Sequence, residues 1–265
     1  ALGWVGYFYS PASHVSLLRN RKAKQIETWK VFLENPAYQE AFQSFEPRPT
    51  AKLLIIGDSH SKDLFNSLFI HRQRYDSNFQ FRHSGFAQSC FGQNPDLVMK
   101  SRTDCNLQTR APLLFQQSNW IVLSFRWGPE ALSGLANWIG YWQQQGKRVA
   151  LVGRTAEFPN SPKLLHEIYF DHQMSMPAAE EVAKEFAIQR HVQWDRLNED
   201  LRKLAQQTGA AYLDKLDFAC NTSRSQCWAI TPSGVPVHYD YGHLTLEGAE
   251  FLGAKMWEMK WLENG

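Results

Sequence analysis

The 265-residue chain is best bounded first by what it lacks. It contains no apolar run of about 18 residues, so no stretch of it reads as a membrane span. No segment joins a basic start to an apolar centre, as a secretory leader would. There is no run of like charge, and a formal net charge of +2 argues neither for nucleic acid nor for an acidic partner. Internal repeats and low-complexity tracts are absent too. The chain does not begin with Met, and its opening Ala1-Leu2-Gly3-Trp4-Val5-Gly6-Tyr7-Phe8-Tyr9 is apolar and aromatic but too short to cross a bilayer. It reads as the tail of a membrane helix or as an arm packed on the domain; the missing Met favours a fragment or a processed chain.

Cysteine is scarce, with four residues in two local pairs, Cys90 with Cys105 and Cys220 with Cys227. Neither pair has the CxxC spacing of a zinc ribbon, and no histidines supply a second ligand pair, so two short disulfide-closed loops are favoured over a metal site. Such pairs point to an oxidising compartment. Aromatics are plentiful, including ten Trp; individually they fit a core, and an exposed excess would suit stacking on sugar rings. The length suits one α/β domain with an accessory segment.

The informative stretch is Lys52 to His60, KLLIIGDSH. Lys52–Ile56 has the apolar, β-branched character of a strand buried on both faces, and Gly57 closes it. Asp63–Phe69 follows with helical spacing at Leu64, Phe65, Leu68 and Phe69. A serine between such a strand and helix lies where open α/β sheets bind ligands. Ser59 is therefore a candidate nucleophile, and Asp58 or Ser59 is equally a candidate helix cap. A serine hydroxyl needs an imidazole to take its proton and a carboxylate to orient that imidazole. Asp240 and His243 can supply both from a loop that precedes a helix capped by Thr245 and carrying Phe251, Leu252 and Met256.

Gly57-Asp58-Ser59-His60 resembles the first block of the SGNH (GDSL-like) hydrolases, and Asp240-Tyr241-Gly242-His243-Leu244-Thr245 resembles their last. His60, the His-Leu-Thr ending and the cysteines are similar to one branch: extracytoplasmic SGNH domains fused to multi-pass membrane acyltransferases that O-acetylate bacterial surface polysaccharides. The resemblance spans Ala51 to Trp261. It implies a three-layer α/β/α, flavodoxin-like fold with a central parallel sheet. It also implies catalysis by Ser59, His243 and Asp240 without metal or organic cofactor, and cysteine loops that flank the site. A polysaccharide acceptor, an acyl donor delivered by a membrane acyltransferase domain of the same full-length chain, and a periplasmic location follow from it as well, and a fragment is what it favours at the amino end.

The remaining segments fit that frame. Residues 1–50 read as an extension linking to a membrane domain: a helix over Gln25–Leu33, a second from Pro36 through Phe45, then a linker, Glu46–Thr50. As a helical pair it would cover one sheet edge. Residues 51–265 form the acyl-transfer domain. Asn78–Gly85 alternates as a strand; by order and context Gly85 matches the family's oxyanion-binding glycine, or is a turn residue. Phe86–Thr109 is a long loop of functional length. Trp120–Gly128 is a second buried strand with its turn. The family's Gly-x-Asn is missing there, and Arg126 and Trp127 stand in its place, although losing one oxyanion donor typically costs ~3 kcal/mol. Arg126 is a candidate replacement donor, or one half of an ion pair at the sheet edge.

Pro129–Gln145 reads as an amphipathic helix and Lys147–Gly153 as a strand. Arg154–Pro177, with His166 and His172 as ordinary loop residues, is assigned to an acceptor groove or lid. Ala178–Thr208 reads as a long helix and Ala210–Asp214 as a last strand, completing a doubly wound order. Three functions remain: O-acetyltransfer to a surface glycan such as the O-antigen of lipopolysaccharide, hydrolysis of carbohydrate or small esters, and glycan binding without catalysis.

Overall fold

The computed structural model describes residues 43–100, 104–157, 196–220, 227–229, 231–232, 237–238 and 240–263. The expected helix at Gln25–Leu33, most of the one begun at Pro36, the insertion from 158 onward with His166 and His172, and the first part of the long helix lie outside these residues. What is described builds a parallel sheet of β1 (Ala51–Gly57), β2 (Phe79–Gly85), β3 (Trp120–Ser124), β4 (Arg148–Val152) and β5 (Ala211–Leu213), in the order β2-β1-β3-β4-β5. The chain turns from β1 outward to β2 and then returns to the other side of β1, so the switch point of this flavodoxin-like order lies at the carboxyl end of β1.

Successive side chains of β1 point to opposite faces, and both faces are apolar, which is why the run Leu53 to Ile56 is unbroken. Leu53 and Ile55 join one core cluster with Leu64, Phe65 and Leu68 of α1 (Ser59–Ile70) and Leu252 and Met256 of a carboxyl-terminal helix. Leu54 and Ile56 join the other with Leu135, Trp138, Ile139 and Trp142 of α2 (Leu132–Gln144) and Leu201 and Ala205 of α3 (196–208). The carboxyl-terminal helix, α4 (Leu246–Glu258), starts at Thr245, whose hydroxyl accepts the Gly248 N–H at 2.9 Å. The expected three-layer α/β/α arrangement is thus present.

Three local expectations are corrected. The second amino-terminal helix does not reach Phe45: residues 43–46 are not helical, the Phe45 N–H is donated to Gln117 Oε1 at 2.8 Å, and its ring is buried in the α2-side core. Phe86–Thr109, expected as a long loop, is largely helical. It folds into a 3₁₀ turn at Gln88–Gly92, a helix at Pro95–Met99 and the start of another at Leu107–Arg110, with Asn94 and Asn106 as side-chain caps. Finally, the ladder of β3 stops at Ser124, because the Arg126 N–H turns from the sheet to Asp58 Oδ2 at 2.9 Å.

Both cysteine pairs form the expected disulfides, Cys90–Cys105 and Cys220–Cys227. Among the described Trp residues, 127, 138, 142 and 261 are fully buried, so aromatic abundance goes chiefly into the core. No helix among the described residues is long and apolar enough to cross a membrane.

Candidate active site

Gly57 makes the turn out of β1 possible. A Cβ there would lie 1.9 Å from the Ser124 carbonyl oxygen of β3, a distance no side chain tolerates. The next residue, Asp58, is the cap of α1: its Oδ1 accepts the His60 N–H at 2.9 Å and its Oδ2 accepts the Arg126 N–H at 2.9 Å. The cap and the candidate nucleophile are therefore different residues. Ser59 is the first residue of α1 and is exposed, and its N–H has no intrahelical acceptor.

The loop before α4 meets it. Asp240 Oδ1 accepts the N–H groups of Gly242 and His243 at 2.9 and 2.8 Å, which folds the loop back on itself. His243 Nδ1 then lies 2.6 Å from Asp240 Oδ2, and His243 Nε2 lies 2.7 Å from Ser59 Oγ. Burial works against ionisation of Asp240, but the Gly242 and His243 N–H groups and the His243 ring outweigh it and hold the carboxyl below the usual carboxylate range. Three side chains predicted from two distant motifs thus form one hydrogen-bonded series.

Of the other expected site residues, Arg126 lies at the rim of this series. Its guanidinium makes a two-point contact with Glu157, at 3.0 and 2.8 Å, and stacks 4.3 Å from the centre of the Tyr241 ring. Tyr241 in turn meets the His243 ring edge-on, with centroids 5.3 Å apart. The ion-pair alternative for Arg126 is therefore realised. Glu157 is buried and also binds Arg154, so one carboxylate serves two guanidinium groups.

Trp127 is not brought to the series. Trp127 is fully buried, donates its indole N–H to the Val152 carbonyl at 2.7 Å and packs on Phe91 and Phe125; the strand end turns it into the core. Gly85 pairs with Gly57 at the end of β2, and the Phe86 N–H goes to the Gly57 carbonyl. The alternation of a parallel ladder then directs the Gly85 N–H away from β1, toward the outer edge of the sheet. His60 was quoted only as a family mark, yet it is 3% exposed with its ring 5.1 Å from that of His243. Burial, helped by the charge of Lys215, pushes its pKa down to about 2, so it stays neutral. Lys215 was missed because its contact to His60 spans 155 residues, and Glu157 because its link to Arg126 joins two separate strand ends.

These features define an α/β/α protein with a hydroxyl, an imidazole and a carboxyl in hydrogen-bonded series at the switch point of its sheet. The chain belongs to the SGNH domain family whose members are fused to AT3 domains; the family model matches residues 31–258. Among solved structures it is similar to the periplasmic domain of a lipopolysaccharide acetyltransferase from Salmonella ser. Paratyphi A, with 17% identity over 85% of this chain and 97% of that one and a TM-score of 0.60. It is also similar to a GDSL-like lipase from Bacteroides thetaiotaomicron (12% identity, 83% and 93% coverage, TM-score 0.43). The psychrotrophic esterase EstA from Pseudoalteromonas sp. is a further match (13% identity, 81% and 100% coverage, TM-score 0.41). At these identities the likeness concerns the fold. No curated protein sequence matches the chain. Family membership implies acyl-ester chemistry, as hydrolysis or transfer, and an acyltransferase domain as neighbour.

Proposed function

We propose that this is the extracytoplasmic acyl-transfer domain of a membrane acyltransferase. In this reading Ser59, His243 and Asp240 act as a catalytic triad that moves an acetyl group onto a sugar hydroxyl of a bacterial surface polysaccharide such as lipopolysaccharide O-antigen. The observation that carries the reading is the pair of contacts on His243, 2.7 Å to Ser59 Oγ and 2.6 Å to Asp240 Oδ2. His243 Nε2 takes the Ser59 proton as Oγ attacks the acyl carbonyl. The leaving group departs with that proton, and the acyl group remains as an ester on Ser59. His243 then takes the proton of the acceptor hydroxyl, whose oxygen attacks the acyl carbon, and returns it to Ser59 Oγ as that oxygen leaves. The Ser59 N–H, at the positive end of α1, is one donor for the tetrahedral oxyanion. Arg126, with 42% of its side chain exposed at the rim, supplies a charge beside the acyl group or the acceptor.

Residues 1–50 connect this domain to the membrane acyltransferase that delivers the acyl group. A periplasmic location accords with the two disulfides. One observation favours hydrolysis as a second activity: Ser59 is open to solvent, so water can compete for the acyl-enzyme.

The test is mass spectrometry after incubation with p-nitrophenyl acetate. A wild-type adduct of acetyl mass that is absent from Ser59→Ala is expected, and its release should quicken when a surface polysaccharide is added and becomes acetylated. Equal adducts in both proteins would remove the covalent mechanism. Release to water alone would favour the esterase, and no adduct with retained glycan binding would favour the non-catalytic domain.

A further inference from the structure

One turn along α1 from Ser59, Asp63 is 7% exposed and shares a recess with Leu64, Phe218, Leu252 and Met256. A buried carboxyl of this kind needs partners, because desolvation alone works strongly against it. One neighbour is Leu244, the residue after His243, which borders the same recess as Asp63 and whose N–H favours the charged carboxyl. Lys215, itself 5% exposed, is a nearby cation: its ammonium reaches the His60 carbonyl at 3.4 Å and feels the charges of Asp58 and Asp63. Asp63 Oδ2 is left with no hydrogen-bond partner in the protein, and so is His60 Nε2.

These residues border a common recess. Asp63, His60 and Lys215, together with Leu244, Phe218 and Met256, line a chamber with a free volume of about 20 Å³ directly under the His243 loop. That is room for one water molecule. A cation is the poorer occupant, since the ammonium of Lys215 borders the same space.

We propose that the chamber is a single-water site bonded to Asp63 and His60, and that Asp63, through the Leu244 N–H, is the positioning residue that clamps the His243 loop to the helix carrying Ser59. Nucleophile and base are then both referenced to α1. The clamp needs only an acceptor oxygen at residue 63. Burial raises the Asp63 pKa to about 7 and lowers that of Lys215 to about 8, and a protonated carboxyl still accepts from an N–H. An amide should therefore replace the carboxyl, whereas an apolar side chain should not.

The positioning role rests on the proposed Ser59–His243 chemistry, whereas the water and the Leu244 bond do not, so the experiment reads them separately. An atomic-resolution crystal structure of the unliganded domain is expected to hold one ordered water within bonding reach of Asp63 Oδ2 and His60 Nε2; an empty chamber overturns the water site. Amide hydrogen exchange at Leu244 should be slow in wild type and Asp63→Asn and fast in Asp63→Leu. Equal protection in all three overturns the clamp. Phosphonylation of Ser59 by a fluorophosphonate should stay close to the wild-type rate in Asp63→Asn and fall about 10- to 100-fold in Asp63→Leu. Asp63→Leu and the cavity-leaving Asp63→Ala are compared at matched thermal stability, so that a folding defect is not read as mispositioning. Wild-type labelling that Asp63→Leu retains overturns the positioning role. Absence of labelling in wild type overturns the proposed chemistry and leaves the exchange and crystal readouts to decide the rest.

Discussion

Glu157 holds two guanidinium groups, Arg154 at 5% exposure and Arg126 at the rim. The two arginines are not equivalent, because removing Glu157 takes the carboxylate from a buried guanidinium at Arg154 and from a solvent-exposed one at Arg126. Glu157→Ala is expected to destabilise the domain by about 3 kcal/mol, against less than about 1 kcal/mol for Arg126→Ala, in urea unfolding. Equal effects would contradict this division. At this scale Ser59, Asp240 and His243 were legible, because their chemistry is written in short motifs and Asp-x-x-His keeps two partners on one loop. Glu157, Asp63 and Lys215 have no such signature. The signal that could have found Asp63 is a carboxyl one turn along the helix from the serine. Trp127 was misassigned because a side chain at a strand end has two faces to choose from. Which one it takes is set by the neighbouring strand.

The elements that carry the chemistry are α1 and α4, and they meet through a glycine. A Cβ on Gly253 of α4 would come within 2.2 Å of the Ser67 carbonyl oxygen of α1 and 2.6 Å of the His71 ring. Gly253→Val is therefore expected to push the helices apart and lower stability by about 1–3 kcal/mol, read as a reduced urea midpoint with an unchanged slope. The loop held by α4 should lose alignment with Ser59 at the same time. Strands and long helices were legible from apolar spacing, and β1, α1 and α4 lie within a few residues of expectation. The segment after β2 was not. Its helical pieces at Gln88–Gly92 and Pro95–Met99 are too short to show a period, and the Cys90–Cys105 bond and the burial of Phe91 are what order it.

The whole molecule carries a pH dependence set by its buried titratable groups. Burial holds His60, His83 and His238 neutral, with pKa values pushed down to about 2, about 3 and about 4. In the unfolded chain each takes up a proton near pH ~6.5, so the unfolded state binds more protons and stability is lost as pH falls below that value. Asp63 acts oppositely: raised to about 7 by burial, it keeps a proton that the unfolded chain releases above ~4, and weakens the fold as pH rises between the two. The three imidazoles outweigh the one carboxyl. Unfolding free energy should fall by on the order of 2–3 kcal/mol per pH unit between about pH 6 and pH 4, measured by urea titration at fixed salt. A flat profile there would mean that the imidazoles are solvated.

The contact between Ser59 and His243 joins residues 184 apart in the chain. A chain folding from its amino end completes β1 and exposes the serine long before α4 exists, yet an unassisted hydroxyl is inert toward esters. Under the proposed mechanism, reactivity is therefore conferred only when α4 docks, and incompletely synthesised or frayed molecules carry the serine without the means to activate it.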